Sequence, residues 1–124
     1  APPRPSHARG AFVMRNWAAP HASLLESYMK SYVTTLRWLS APANKAQAVT
    51  ILRAHLNLTP EVADRAFAQL TDSDFGFTPD ARIDMQGVHN MLAIRAETEG
   101  SGGVMLDPQQ FLDITYYDRA MTAL

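Results

Sequence analysis

From His21 to Leu39, the residues Leu25, Tyr28, Met29, Tyr32, Leu36 and Leu39 recur at three- and four-residue spacing. A helix of about 3.6 residues per turn gathers them into one apolar stripe. Pro20 stands where a helix start tolerates it, and Ser40 to Pro42 breaks the pattern. A second helix is expected from Pro42 or Asn44 to His55, with Ala46, Val49, Ile51, Leu52 and Leu56 on its apolar side. The run "LTPEVADRAFAQL" opens a third. Thr59 can cap it, Pro60 suits the first helical position, and Glu61 favours the positive end of the helix dipole. It should end near Thr71. The loop-like "TDSDFGFTPDARID" follows, and Asp84 can cap a fourth helix from Met85 to Glu99, with Val88, Met91, Leu92 and Arg95 along one side. "EGSGG" should stop that helix. After a brief apolar segment, Val104 to Leu106, Asp107 and Pro108 start a short helix through Leu112. Asp113 can cap or turn the chain, and a last helix is expected from Tyr117 to Ala123.

Ala11 to Met14 is the one segment that reads as a strand, short and apolar. No partner strand is evident elsewhere in the chain, and an isolated strand leaves its backbone groups unpaired. It must pack as an extended arm or pair with something outside the chain. The expected fold is therefore mainly α, with about five helices and one short strand. Residues 1–9 form a Pro-rich, disordered lead-in, and 10–124 a single helical domain.

The 124 residues suffice for one domain with a core. With 11 Lys and Arg against 12 Asp and Glu, the net charge is −1, and the charges are scattered. That is no electrostatic footprint for nucleic acid or an anionic membrane. The absence of cysteine excludes disulfides, thiolate metal sites and a cysteine nucleophile. No apolar run is long enough to span a bilayer, and "APPRPSHARG" has no apolar signal core.

No catalytic signature stands out. His7, His21, His55 and His89 lack the spacing of a helical metal site. Asp72, Asp74, Asp80 and Asp84 superficially resemble a calcium loop, but the closing Glu is missing; helix caps and turns account for them better. There is no nucleophile elbow, phosphate loop or identifiable triad. An enzyme is not expected, and neither a metal nor a cofactor. The aromatics Tyr28, Tyr32, Trp38, Phe67, Tyr116 and Tyr117 fall at helical spacing and read as core. Arg15, Asn16 and Trp17 differ because they sit where the strand meets the helix, a place that commonly lines clefts in α/β proteins. Arg15 could hold an anionic group with paired donors; the plainer reading is a salt bridge to a nearby carboxylate.

The order of features carries more than any one of them. An apolar strand ending in "RNW" is followed by "RWL", "PANKAQAV", "LTPEVADRAF", "GVHNMLAIRAE" and finally "LDPQQFLDITYYDRAM". From Gly10 to Leu124 this resembles the C-terminal part of a substrate-binding protein of an ABC importer. The similar family is the nitrate, sulfonate, taurine and thiamine-precursor type, with a type II-like periplasmic-binding-protein fold. The resemblance implies two α/β lobes joined by crossing strands, with a small-molecule solute held in the cleft. This chain would supply the last crossing strand and the helices after it, as a C-terminal fragment. The orphan strand and the missing signal would then share one cause. The implied location is periplasmic or extracytoplasmic, the implied partner a membrane permease, and Arg15, Asn16 and Trp17 become candidates for ligand contact or hinge packing. The alternative is a helical protein-interaction module without a small-molecule ligand, and in either case a homodimer could form through Ala11 to Met14. A related enzyme class of thiamine-pyrimidine synthesis needs a cysteine that this chain lacks.

Overall fold

The computed structural model describes residues 10–98 and 106–124, and every regular element among them is helical. The α-helices are α1 (Arg15–Ala18), α2 (Ala22–Ser40), α3 (Lys45–Leu56), α4 (Pro60–Leu70), α5 (Met85–Thr98) and α6 (Thr115–Thr122). Short 3-10 turns at Ala19–His21, Pro42–Asn44, Pro79–Ala81 and Pro108–Gln110 each carry a proline at the first or second position. The lead-in 1–9, the Gly-rich stop after α5 and residues 104–105 of the apolar segment lie outside the described residues.

The expected helix starts form as local chemistry dictates. Thr59 Oγ1 accepts from the Val62 N–H at 3.4 Å and Pro60 opens α4. Asp84 accepts from the Gln86 N–H ahead of α5, and Asp107 from Gln109 ahead of its 3-10 turn. Asp113 Oδ1 takes the Thr115 N–H at 3.1 Å and the Thr115 hydroxyl at 2.6 Å, so it starts α6 two residues earlier than the apolar pattern suggested. Past α3, Asn57 adopts a left-handed conformation (φ 53°). The N–H groups of Asn57 and Leu58 both reach the Arg53 carbonyl. This closes the helix with a residue type that tolerates positive φ.

The strand does not form. Residues 10–14 are irregular, and Phe12, Val13 and Met14 are exposed. The Met14 carbonyl instead accepts from the Trp17 and Ala18 N–H groups and so begins α1. Extended backbone without a neighbouring strand gains no ladder hydrogen bonds, whereas a helical turn satisfies its own. A second correction concerns α2. Tyr28 and Tyr32, expected in the core, are exposed and stack on each other at 6.3 Å. Leu36 of the predicted stripe is buried, with Val33 beside it, and Leu25, Met29 and Leu39 are half-buried, so the inward face keeps the aliphatic positions of the stripe and leaves out its tyrosines.

Within the span expected as one helical domain, contacts gather into two compact units. One comprises the described residues through Ser27 together with Ile83–Leu124; the other is Tyr28–Arg82. In the second, α3 and α4 pack as an antiparallel-type helical hairpin joined by Asn57–Thr59, with Ala48, Ala63 and Phe67 buried. In the first, α5 meets the Pro108–Gln110 turn, and Gly87, Ala96, Pro108 and Ala120 are buried.

Candidate functional site

Arg15, Asn16 and Trp17 lie in the single turn of α1. Neighbouring helical positions point about 100° apart, so the three side chains leave α1 in different directions. Their surroundings bear this out. Arg15 Nη2 donates to the Gln110 carbonyl at 3.0 Å, and Nη1 lies 4.0 Å from Asp113 Oδ2. The guanidinium thus ties α1 to the end of the last 3-10 turn and to the cap of α6. The salt-bridge reading of Arg15 is the one its geometry supports. Trp17 stacks on His21 with centroids 4.4 Å apart and planes 9° from parallel. His21 Nδ1 is 2.7 Å from the Trp17 carbonyl oxygen. Asn16 is exposed.

Further charges extend this corner. Arg119 Nη1 is 3.3 Å from Glu26 Oε1, and its guanidinium lies over the Tyr116 ring at 5.2 Å. The Thr115 hydroxyl and N–H, and then Arg15 and Arg119, hold the Asp113 carboxyl below the usual carboxylate range. Asp113 is legible as the residue that turns the chain ahead of α6. Gln110, Glu26 and Arg119 were not legible as partners, because each acts through spatial proximity that no local pattern encodes.

The aspartates of the 71–84 loop act as turn and cap groups. Asp72 Oδ1 accepts from the Asp74 and Phe75 N–H groups, both at 2.9 Å, which lowers its pKa. Asp84 caps α5, and Asp80 accepts from Arg37 Nε at 2.6 Å. Among the described residues, no three His, Cys, Asp or Glu side chains gather as a metal site would require. Two surface hollows occur in the Tyr28–Arg82 unit. One, of about 250 Å³, is lined by Leu36, Arg37, Ser40, Ala41 and Asp80; the other, of about 490 Å³, lies along Pro42–Val49 and Asp64. Neither includes Arg15, Asn16 or Trp17. Among the described residues, no helix is long and apolar enough to cross a membrane.

Comparison of the chain with protein-family models, curated proteins and solved structures finds no match.

Proposed function

We propose that this chain is the helical C-terminal portion of a solute-binding component of an ABC importer. In such a protein two lobes close around a small solute and present it to a membrane permease outside the cytoplasm. This portion performs no chemistry. The observation that carries the proposal is the arm at Ala11 to Met14. It is an apolar, irregular segment with Phe12 91% exposed, and it runs directly into α1. A crossing strand separated from the sheet that receives it has this character. The ordered motifs from "RNW" to "DITYYDRAM" point the same way, and α2 to α6 fall on them in sequence. On this reading Arg15 and Trp17 shape the hinge side of the cleft by fixing α1, and contact with solute falls mainly to residues of the other lobe.

The test is the reading frame upstream of Ala1. A long α/β stretch there, and solute binding by the full-length product, is the expected result. A start codon beside Ala1 with no upstream lobe overturns the proposal. The second reading, a helical interaction module, then leads. It is favoured by the same exposed Phe12, Val13 and Met14, and it predicts a dimer built on Ala11 to Met14.

A further inference from the structure

Asp80 and Ala81 are consecutive residues with positive φ, 57° and 54°. Aspartate tolerates the left-handed region; alanine enters it only when something holds it there. What holds this pair is visible. Arg37 Nε, on α2, donates to Asp80 Oδ1 at 2.6 Å, a link across 43 residues of chain. The loop before it is separately anchored. The Phe77 N–H reaches the Leu70 carbonyl at 2.8 Å and the Gly76 N–H reaches that of Asp72 at 3.0 Å. The Ala81 N–H bonds to the Thr78 carbonyl at 3.0 Å. The segment from Thr78 to Arg82 is therefore a short strap, fixed at its start by the 70–77 loop and at Asp80 by Arg37. Arg37 and Asp80 also line the hollow of about 250 Å³, beside Leu36, Ser40 and Ala41.

We propose that the Arg37–Asp80 pair is a clasp that holds the Thr78–Arg82 strap in a strained conformation at the edge of this hollow, and that breaking the pair releases the strap and exposes the apolar wall of Leu36 and Ala41. Arg37 from α2 and Arg82 from the strap itself both favour the ionised form of Asp80. Acid is thus the natural release. Asp80 titrates below the usual carboxylate range, chiefly through its bond to Arg37. The clasp is intact above that range and opens as pH falls through the lowered value.

Native-state amide exchange on the whole chain reads the clasp directly. Arg37→Gln keeps a good helix former and removes the cation. Exchange at the Ala81 amide should rise roughly three-fold, the scale of a half-exposed ion pair, with the Ala63 amide in α4 unchanged. Binding of the apolar dye ANS should rise with it. Asp80→Asn, which also tolerates positive φ, should reproduce both effects and remove their dependence on acid. Ala81→Gly keeps the pair but relieves the strain, so it should slow exchange at residue 81. Unchanged exchange at Ala81 in both charge variants overturns the proposal. So does an equal rise at Ala63, which would make the pair a general support rather than a local clasp.

Discussion

The two units bury different kinds of residue. In Tyr28–Arg82 the buried set includes Val33, Leu36 and Phe67, with Ala48 and Ala63 where helices approach. Among the described residues of the other unit the buried apolar side chains are Ala18, Ala96 and Ala120, joined by Gly87 and Pro108. Phe12, Met14 at 69% exposed, Leu24, Phe111 and Ile114 are exposed there, while Leu25, Val88, Leu92 and Leu112 are half-buried; Tyr28–Arg82 also exposes large side chains, among them Tyr28, Ile51, Leu56 and Phe75. Hydrophobic stabilisation scales with apolar area removed from water, so burying alanines contributes little. The first unit depends correspondingly more on polar ties: Arg15 to Gln110 and Asp113, and Arg119 to Glu26. Such ties are partly exposed and screened. Both units thus display large apolar side chains, and the difference lies in whether large ones are also buried beneath them.

The sharpest way to break this contrast is to truncate one large side chain in each unit. Phe67 is 8% exposed on α4, with the Lys45 ammonium 6.0 Å from its ring centroid. Phe67→Ala should cost about 3 kcal/mol in urea unfolding, as buried phenylalanines do. Phe12→Ala should change stability by less than about 0.5 kcal/mol, as at an exposed site. Equal losses would show that the exposed arm supports the fold, and the contrast would fail.

Next in size is Gly76, in the loop of the better-packed unit. A Cβ there would stand 2.6 Å from the Leu70 carbonyl oxygen, 2.7 Å from the Asp72 nitrogen, and closer still to the Asp72 carbonyl. These are backbone atoms that cannot rotate aside. Gly76→Ala should therefore destabilise the Tyr28–Arg82 unit by about 1–3 kcal/mol, the range for overpacking. Thermal unfolding checks it, and a neutral result would mean that the loop yields freely. Smaller again is Thr59→Ala. It removes the cap of α4 for about 1 kcal/mol or somewhat less, because the 3.4 Å bond is long. Thr59→Ser should restore most of the loss.

What the sequence makes legible follows the range of the forces involved. Thr59-Pro60-Glu61, Asp84 and Asp113 announce helix starts because a cap acts within two or three residues. The Arg37–Asp80 bond depends on the path of the chain between the two residues, so no local pattern contains it. Ala81 at positive φ runs against its own propensity and was illegible for that reason. The strand at Ala11 to Met14 was read from composition, but a strand exists only with a neighbour, and none is present among the described residues. The helical turn from Arg15 to Trp17 separates side chains that look adjacent in the sequence. On α2 the aliphatic positions of the stripe face inward, and Tyr28 and Tyr32 depart from it because tyrosine is amphipathic and serves an exposed face as readily as a core.

The finest probe of the contrast is pH. Asp113 anchors the polar ties of the first unit, and its carboxyl is held below the usual range by Thr115 first, then Arg15 and Arg119. A depressed carboxylate contributes stability that is fully present above its unfolded value, near pH 4, and lost as pH falls through the folded value. Protection of the Thr115 amide should therefore be flat from neutral pH to about 5 and decline below about 4. Glu61, Asp72 and Asp80 in the second unit are also depressed, so acid alone does not single out the first unit. The discriminating quantity is how far the loss spreads. In the first unit it should extend from Thr115 along α6, because little buried apolar area holds that helix in place. In the second, loss at Asp72 should stay within the loop, with the Ala63 amide of α4 still protected. Asp113→Asn keeps an acceptor for the cap and loses the charge, so it should flatten the acid response of α6 while leaving the helix formed. If α4 loses protection together with α6 as the pH falls, the two units unfold as one, and the difference in their cores does not govern their stability.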